Sequence, residues 1–401
     1  MYNVILINVD ELWLKGKNRN VYFKTLKTHA KDVLKSYHQG NLDFSNILQR
    51  LVIKSETNFS DETIKALESI PGIHSINLAR EVEKDLDKVL AEAIEEFKQI
   101  KNKNFTFKVF TARSDKTFPQ NSMEVNRWLG HHLLENFPDI KVDVHDPEVS
   151  LEVKILPDSI FISTKKLMGI GGQPLGASGH LVTMLSGGLD SPVASFLMAK
   201  RGCKQTFAFF YSYPFVGEEV LDKILKLTSI ISKYQRRCKL YIIPFGEFQK
   251  IITKEVREEY RTVMFRKFMI DCSNLLAQNV GAQAILTGDA LGQVSSQTIG
   301  NIALLDQVSQ RPIFRPLIGF NKAEIVQVSK EIGTYETSII PHDDACSLFA
   351  PKHPIIRPNE KYWNDFTRDH PYTENLIKCL EQAMVYDVNL KGEINPIEAK
   401  D

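Results

Sequence analysis

The residues with the clearest chemical use are Ser186-Gly187-Gly188-Leu189-Asp190-Ser191, set between an apolar run and a helical pattern. Leu181, Val182, Met184 and Leu185 have the apolar character of a covered parallel strand, and the serine and glycines that follow break it at once. Beyond the turn, Pro192 suits a first helical turn. Val193, Ala194, Phe196, Leu197 and Met198 predict a largely buried helix, and Gly202 can end it. Asp190 or Ser191 can cap this helix. A glycine turn running into a helix N-terminus offers free backbone N–H groups and the positive end of a dipole, which suits phosphate or pyrophosphate. Read more blandly, the same residues are a tight turn that caps a helix. The lysine of GxxxxGK[ST] is absent, which excludes a kinase-like or GTPase-like phosphate loop.

The elements around this turn must position whatever it binds. From His180 onward strands alternate with helices. Strands are expected at Thr206 to Tyr211, Leu240 to Phe245 and Ala284 to Thr287, and helices through Glu218 to Lys233, Phe248 to Asn279, Gly300 to Val308 and Asn321 to Ile332. Asn321 with Glu324 makes a capping-box start for the last of these, and Gly333 a stop. The pattern predicts a doubly wound parallel sheet, in which ligands lie at the carboxyl ends of the strands. Met184 and Leu185 end the first strand and can offer backbone groups to an adenine; Phe209 and Phe210 end the second. Gly288-Asp289 ends the fourth, and a polar, glycine-punctuated loop runs on to Thr298.

Length and composition bound the reading. At 401 residues the chain should hold two or three domains, and 25% charged with 43% hydrophobic residues describes an ordinary soluble protein. No apolar run reaches the length of a membrane span and the N-terminus lacks a basic leader, so a cytoplasmic protein with no membrane partner is expected. Cys203, Cys238, Cys272, Cys346 and Cys379 form no CxxC pair, which argues against a zinc ribbon, a thioredoxin motif or an iron-sulfur cluster built on one. No metal-ligand set is assigned.

The net charge of +1 hides an uneven distribution: Lys15 to His38 carries seven Lys and Arg against one acid, and Glu81 to Glu96 seven acids against two lysines. Residues 1–80 read as β-α-β-α-β, the content of a small ferredoxin-like α+β domain, with strands at Val4 to Val9, Leu51 to Lys54 and Ile73 to Leu78. On its first helix, from about Arg19 to Tyr37, Phe23, Leu26, Ala30, Val33, Leu34 and Tyr37 share one side and Lys24, Lys27, Lys31 and Lys35 the other. Either a solvated face or a contact to a phosphate backbone would produce this. Residues 81–165 follow as α-β-α-β-β, with an acidic amphipathic helix, a strand Phe105 to Phe110, a helix Ser122 to Asn136 and strands Lys141 to Val144 and Leu151 to Ile162. The order, with FKVFTARSDKTFPQNSMEVNRWLG after the first strand, resembles the THUMP domain, an RNA-binding module. The resemblance implies that Arg113, Lys116 and Arg127 contact phosphates or bases. Residues 166–179 are expected to be a glycine-rich linker to the last domain, 180–401.

SGGLDS resembles the pyrophosphate loop (PP-loop) of the ATP pyrophosphatases, which cut ATP between its first two phosphates. With GDALGQVSSQT, YRTVMFRKFM, RPLIGFNKAEI, DDACSLFAP and the N-terminal LWLKGKNR, the chain resembles the tRNA 4-thiouridine synthetases over about residues 1 to 355, in order. That family implies an ATP site of Met184, Leu185, Phe209, Phe210, Arg266, Gly288 and Gln297, with the phosphates on the loop. It further implies Asp190 as the essential carboxylate on a Mg2+, Lys322 as the catalytic lysine and Cys346 as the sulfur carrier. It also implies tRNA as substrate and a cysteine desulfurase as sulfur donor, and leaves a homodimer and a link to thiamine thiazole synthesis open. The expected reaction is thiolation of C4 of uridine 8; a 2-thiouridine-type adenylating enzyme and a non-catalytic tRNA-binding protein are the alternatives. About fifty residues follow Cys346, too few for the rhodanese-like domain that some members carry. Cys203 is the first candidate for a thiol that resolves the persulfide.

Overall fold

The structure, a computed structural model, describes residues 2–11, 16, 18–47, 50–341, 349 and 351–398. It divides into two compact units, Met1–Gly172 and Gln173–Asp401. Cys346 and most of the LWLKGKNR motif lie outside the described residues.

The first unit runs β1 (Val4–Val9), α1 (Arg19–Tyr37), β2 (Leu42–Ile47), β3 (Arg50–Ser55), α2 (Asp61–Glu68), β4 (Ile73–Val82), α3 (Leu86–Lys98), β5 (Thr106–Arg113), α4 (Ser122–Asn136), β6 (Lys141–Val142), β7 (Val149–Ile155), β8 (Ile160–Met168). Its strands form one sheet in the order β2-β3-β1-β4-β8-β7-β5-β6. β4 joins the two halves, since it pairs antiparallel with β1 on one side and β8 on the other.

Two features depart from the sequence reading. β2 is absent from that reading, because LDFSNI has only a weak alternation; as a half-exposed edge strand it takes its order from pairing with β3, Leu42 opposite Ser55. The single strand expected over Leu151 to Ile162 is a hairpin, turning where the Leu156 N–H donates to the Ser159 carbonyl at 3.0 Å. Apolar residues on both sides of the turn concealed it. β8 then continues to Met168, opposite Ser75, so the first three residues of the expected linker are sheet. Beneath the second half, Val89, Ala93 and Phe97 of α3 and Val125, Leu129 and Leu133 of α4, all at helical spacing, pack on Phe107, Leu151, Val153 and Ile162.

The second unit runs β9 (His180–Met184), α5 (Asp190–Lys200), β10 (Lys204–Tyr211), α6 (Glu218–Ser232), β11 (Arg237–Pro244), α7 (Gly246–Glu255), α8 (Arg261–Val280), β12 (Ala284–Leu286), α9 (Ile299–Val308), β13 (Ile313–Phe314), α10 (Lys322–Ile332), α11 (Tyr335–Ser338), α12 (Glu360–Asp369), α13 (Thr373–Glu381), β14 (Met384–Asn389), β15 (Ile394–Ile397). The sheet order is β13-β12-β9-β10-β11-β14-β15. The first five strands are parallel, and β14 and β15 close the edge antiparallel. Successive residues of β10 serve opposite faces: Ala208 and Phe210 join Phe265 and Phe268 of α8, while Phe207 and Phe209 join Val220 and Ile224 of α6. The chain leaves β9 for β10 on one side and returns to β12 on the other, so the crevice at the carboxyl ends of β9 and β12 is the topological switch point. No helix among the described residues is long and apolar enough to cross a membrane.

The last forty residues, for which the sequence suggested no element, complete the core on both faces: α12 and α13 on the α8 side and Val388 of β14 on the α6 side. Trp363 of α12 is fully buried on the α8 side with Phe366, Leu376 and Cys379. Its indole Nε1 has no hydrogen-bond partner among the described residues, so the ring contributes by packing. Trp363→Ala should therefore destabilise the protein by about 3–5 kcal/mol, and Trp363→Phe by much less, since it also removes an unsatisfied donor; urea unfolding of the three proteins compares them directly.

Candidate active site

A cavity of about 300 Å³ opens at the switch point, large enough for a small ligand. Of the residues expected at a nucleotide, Met184, Leu185, Ser186, Gly188, Ser191, Phe209, Phe210, Arg266, Gly288 and Gln297 line it, as does Asp190; Gly187 sits in the same loop without lining the wall. The loop is closed on itself by Ser191, whose Oγ accepts from the Ser186 N–H at 2.8 Å and lies 3.1 Å from the Ser186 Oγ. Neither Asp190 nor Ser191 is the helix cap that the sequence allowed. The N-cap of α5 is Leu189, which provides no side-chain acceptor, and this leaves the first-turn N–H groups for an anion. Gly288 faces this turn so closely that a Cβ there would lie 2.7 Å from the Ser191 nitrogen and 2.8 Å from the Asp190 carbonyl carbon. Only glycine lets the end of β12 approach the loop.

The floor of the cavity is a buried charge cluster that the sequence reading did not single out. Asp289, 3% exposed, is ion-paired to Arg266 of α8 and to Arg315, whose Nε is 3.1 Å from Oδ2. Thr287 Oγ1 donates to the same oxygen at 2.9 Å, and Gln297 Nε2 reaches Oδ1 at 3.4 Å. Arg266 also donates to the Ser296 carbonyl at 3.1 Å, and Arg315 pairs outward with Asp306 at 2.8 Å. Burial alone would raise the Asp289 carboxyl, but the Arg266 charge, the Thr287 hydrogen bond and the charge and hydrogen bond of Arg315 outweigh it and hold the pKa below the ordinary carboxylate value. Asp289 stands in GDALGQ and Arg315 in RPLIG, so the signal was present as motif membership without a role.

At the mouth, Lys322 Nζ lies 2.8 Å from Asp190 Oδ1, and Gln293 Nε2 donates to Oδ2 at 2.6 Å. Asn321 caps α10 with the expected box, Glu324 returning the bond at 2.8 Å. Lys322 is thus a cation in a helical first turn, where the dipole opposes it; Asp190, in the first turn of α5, is favoured by its own dipole and supplies the counter-charge.

The chain flanking Cys346 is held on both sides. Before it, the buried Lys223 of α6 donates to the carbonyls of Ser338 and Ile340 at 2.8 and 2.6 Å, a cation spent on backbone that the sequence did not reveal. After it, Phe349 packs edge-on against Phe215 at 5.4 Å and against Phe265, the neighbour of Arg266, at 6.2 Å. Asn301 Nδ2 donates to the Ile355 carbonyl at 2.8 Å. The four other cysteines are unpaired and buried. Burial pushes Cys203 up to about 11, Cys238 to about 12 and Cys379 to about 11, and raises Cys272 as well. Cys203 is therefore a poor resolving thiol. It lies beyond the far end of the 11-residue α5, about 16 Å of helix away from Asp190.

These features agree with what the chain is similar to. Residues 176–366 match the family described as thiamine biosynthesis protein (ThiI), 81–165 the THUMP domain and 4–77 the ThiI ferredoxin-like domain. A probable tRNA sulfurtransferase of Brevibacillus brevis is 35% identical over 399 residues, spanning 100% of this chain and 97% of that protein. The chain belongs to the ThiI family of tRNA sulfurtransferases. A crystal structure of a 4-thiouridine synthetase in complex with RNA and bound ATP is similar at 31% identity and a TM-score of 0.88, covering 97% of this chain and 100% of that one. A protein of Pyrococcus horikoshii, 22% identical over 82% of this chain and 99% of its own, shares the fold at a TM-score of 0.65.

In the ThiI-type first unit, Lys24, Lys31 and Lys35 of α1 are exposed, as are Lys116 and Arg127. β2 lies beside the lysine face: Lys27 Nζ donates to the Phe44 carbonyl at 3.1 Å and Lys31 Nζ sits 5.1 Å from the Phe44 ring. Arg113 is half-buried and donates to the carbonyls of Phe118 and Gln120 at 2.9 and 3.1 Å, so it shapes the loop ahead of α4. Asp115 in that loop is held well below the carboxylate range by Lys84 and Thr117.

Asp289→Asn would leave Arg266 and Arg315 facing each other without their anion, and should destabilise the second unit by about 3–5 kcal/mol. Because the folded pKa of Asp289 is depressed, its stabilisation is present above the unfolded value near 3.9 and is lost as pH falls through the folded one. Unfolding followed from about pH 7 down to about pH 2 should show an acid-side loss in the parent protein that is smaller in the variant.

Proposed function

We propose that this chain activates uridine 8 of tRNA at C4 with ATP and replaces the oxygen by sulfur carried on Cys346, giving 4-thiouridine. The observation that carries the reading is the meeting, at one cavity, of a glycine loop at a helix N-terminus and the Asp190–Lys322 pair. ATP lies with its adenosine among Met184, Leu185, Phe209, Phe210 and Gln297 and its phosphates on the loop between Ser186 and Ser191. The uridine loses its N3 proton, and O4 attacks the α-phosphorus. The bond to the bridging oxygen breaks, pyrophosphate leaves, and O4 carries AMP. The free N–H groups of α5 and the Lys322 ammonium meet the negative charge that develops on the phosphates. The terminal sulfur of a Cys346 persulfide then adds to C4, and AMP departs with O4. Attack of a second thiol on the Cys346 sulfur breaks the S–S bond, leaving the new sulfur on C4 and a disulfide behind.

The four buried cysteines are unsuited to that last step. A thiol from outside the chain, a small-molecule reductant or a second protein, supplies it. The sulfur itself comes from a cysteine desulfurase, and unpaired thiols are in keeping with a cytoplasmic enzyme. Among the described residues no cluster of three His, Cys, Asp or Glu side chains could hold a metal. Asp190, whose two oxygens are held by Lys322 and Gln293, would hold a Mg2+ by giving up one of those contacts; such an ion would supply further charge neutralisation on the leaving pyrophosphate. Lys24, Lys31, Lys35, Lys116 and Arg127 face the tRNA backbone, and Arg113 holds the loop that carries Lys116.

The decisive measurement is nucleoside mass spectrometry of tRNA incubated with the protein, ATP and a sulfur source. Asp190→Ala should lower pyrophosphate release at least 100-fold with tRNA affinity within about twofold, and Cys346→Ser should abolish thiolation from a desulfurase while sparing AMP formation. Normal AMP formation by the first variant, or normal 4-thiouridine from the second, refutes the assigned role. Charge reversal at Lys24, Lys31 and Lys35 should flatten the salt dependence of tRNA binding by about 0.7–0.9 in slope per lost contact; an unchanged slope returns these lysines to a solvated face.

A further inference from the structure

Beyond the expected site, the carboxyl end of β10 carries an aromatic ladder that ends in solvent. Phe209 lines the cavity and packs against Tyr211 at 6.2 Å, and Tyr211 against Tyr213 at 5.9 Å, the rings inclined by 32° and 34°. The first two rungs are 5% exposed, whereas Tyr213 is 58% exposed. Two residues later Phe215 packs against Phe349, three positions past Cys346. Tyr213 thus stands in the chain between a ring of the nucleotide cavity and a ring that holds the flank of the sulfur carrier.

The exposed ring sits on a fixed backbone. Gly246 packs so closely under it that a Cβ would lie 2.2 Å from the Tyr213 carbonyl oxygen and 2.9 Å from the Ser212 carbonyl carbon. Ser212 Oγ donates to Gln249 Oε1 at 2.6 Å in the interior, and the Phe215 N–H donates to the Ser212 carbonyl at 2.8 Å. An aromatic face held rigidly and left open is what a nucleobase drawn out of an RNA stack requires, because stacking replaces the neighbours it has lost.

We infer that the ring of Tyr213 is the platform on which the target uridine base stacks during both half-reactions. This rests on the functional reading above: C4 must meet first the α-phosphate in the cavity and then the persulfide, and a base held on one fixed surface can be reached by each in turn. The interaction uses the ring face, so the hydroxyl is dispensable.

The test compares Tyr213→Ala, Tyr213→Phe and Tyr213→Trp in the full chain with tRNA and ATP. Tyr213→Ala should lower kcat/KM for tRNA in both AMP formation and thiolation by about 10- to 100-fold, the range expected for removing one stacked aromatic. Its Kd for ATP should stay within about twofold. The Phe and Trp variants should retain most activity. In the Tyr213→Trp variant, the fluorescence of the introduced indole should be quenched by tRNA but not by tRNA abasic at the target position. Unchanged kcat/KM in Tyr213→Ala overturns the platform, as do Phe and Trp variants as slow as Ala. Equal loss of ATP affinity would assign the ring to the cavity wall instead. If the parent protein makes no 4-thiouridine, the functional reading itself falls and the platform with it; an active parent with an unaffected Ala variant removes the platform alone.

Discussion

The cavity depends on one buried carboxylate. Asp289 gathers Arg266 from α8 and Arg315 from the turn after β13, and through Gln297 and Ser296 the same cluster fixes the loop after β12. Each guanidinium would be costly to bury alone; together with one anion and three further hydrogen-bonding groups they become a rigid floor. The cavity above is correspondingly polar at its base and apolar at Phe209, Phe210 and Met269.

A second constraint is steric. The Ser186–Ser191 loop and the end of β12 come into contact only because Gly288 has no side chain. Lys322 reaches Asp190 from α10, a helix far along the chain, against the preference of its own dipole. A residue placed against local preference and satisfied only by a distant partner marks a site where function overrides propensity.

The first unit obeys a different logic. Its two halves match separate family descriptions, at 4–77 and 81–165, yet β4 and β8 unite them in one eight-stranded sheet. The polar row across its strands is internally paired: Arg50 donates to Asn8, Asn8 to Asn77, and Lys154 to Asn77 at 2.9 Å, with Glu152 beside it at 3.1 Å. Burial lowers the pKa of the Lys154 ammonium, and Glu152 offsets part of that shift.

Periodicity and turn chemistry were enough, in the sequence alone, to determine the elements with strong local signals. The helix Ser122–Asn136, the capped start of α10 and the alternation from β9 to α10 follow from spacing that any neighbour would respect. The family resemblance also named residues that line the cavity, among them Met184, Phe209 and Gln297, but not Met269, Thr287, Asp289 or Ser296, which line it as well. What sequence could not supply were features owned by two distant segments at once. β2 is a strand only because β3 lies beside it, Asp289 is a keystone only because Arg266 and Arg315 arrive from elsewhere, and Lys223 is a buried clamp only because the chain at Ser338 and Ile340 folds back over it. Cys203 stands at the end of the helix that leaves the Ser186–Ser191 loop, but that helix carries it away from the cavity and burial raises its thiol pKa. Local pattern records what a residue prefers, whereas desolvation and long-range pairing depend on which groups the tertiary fold brings within a few ångströms.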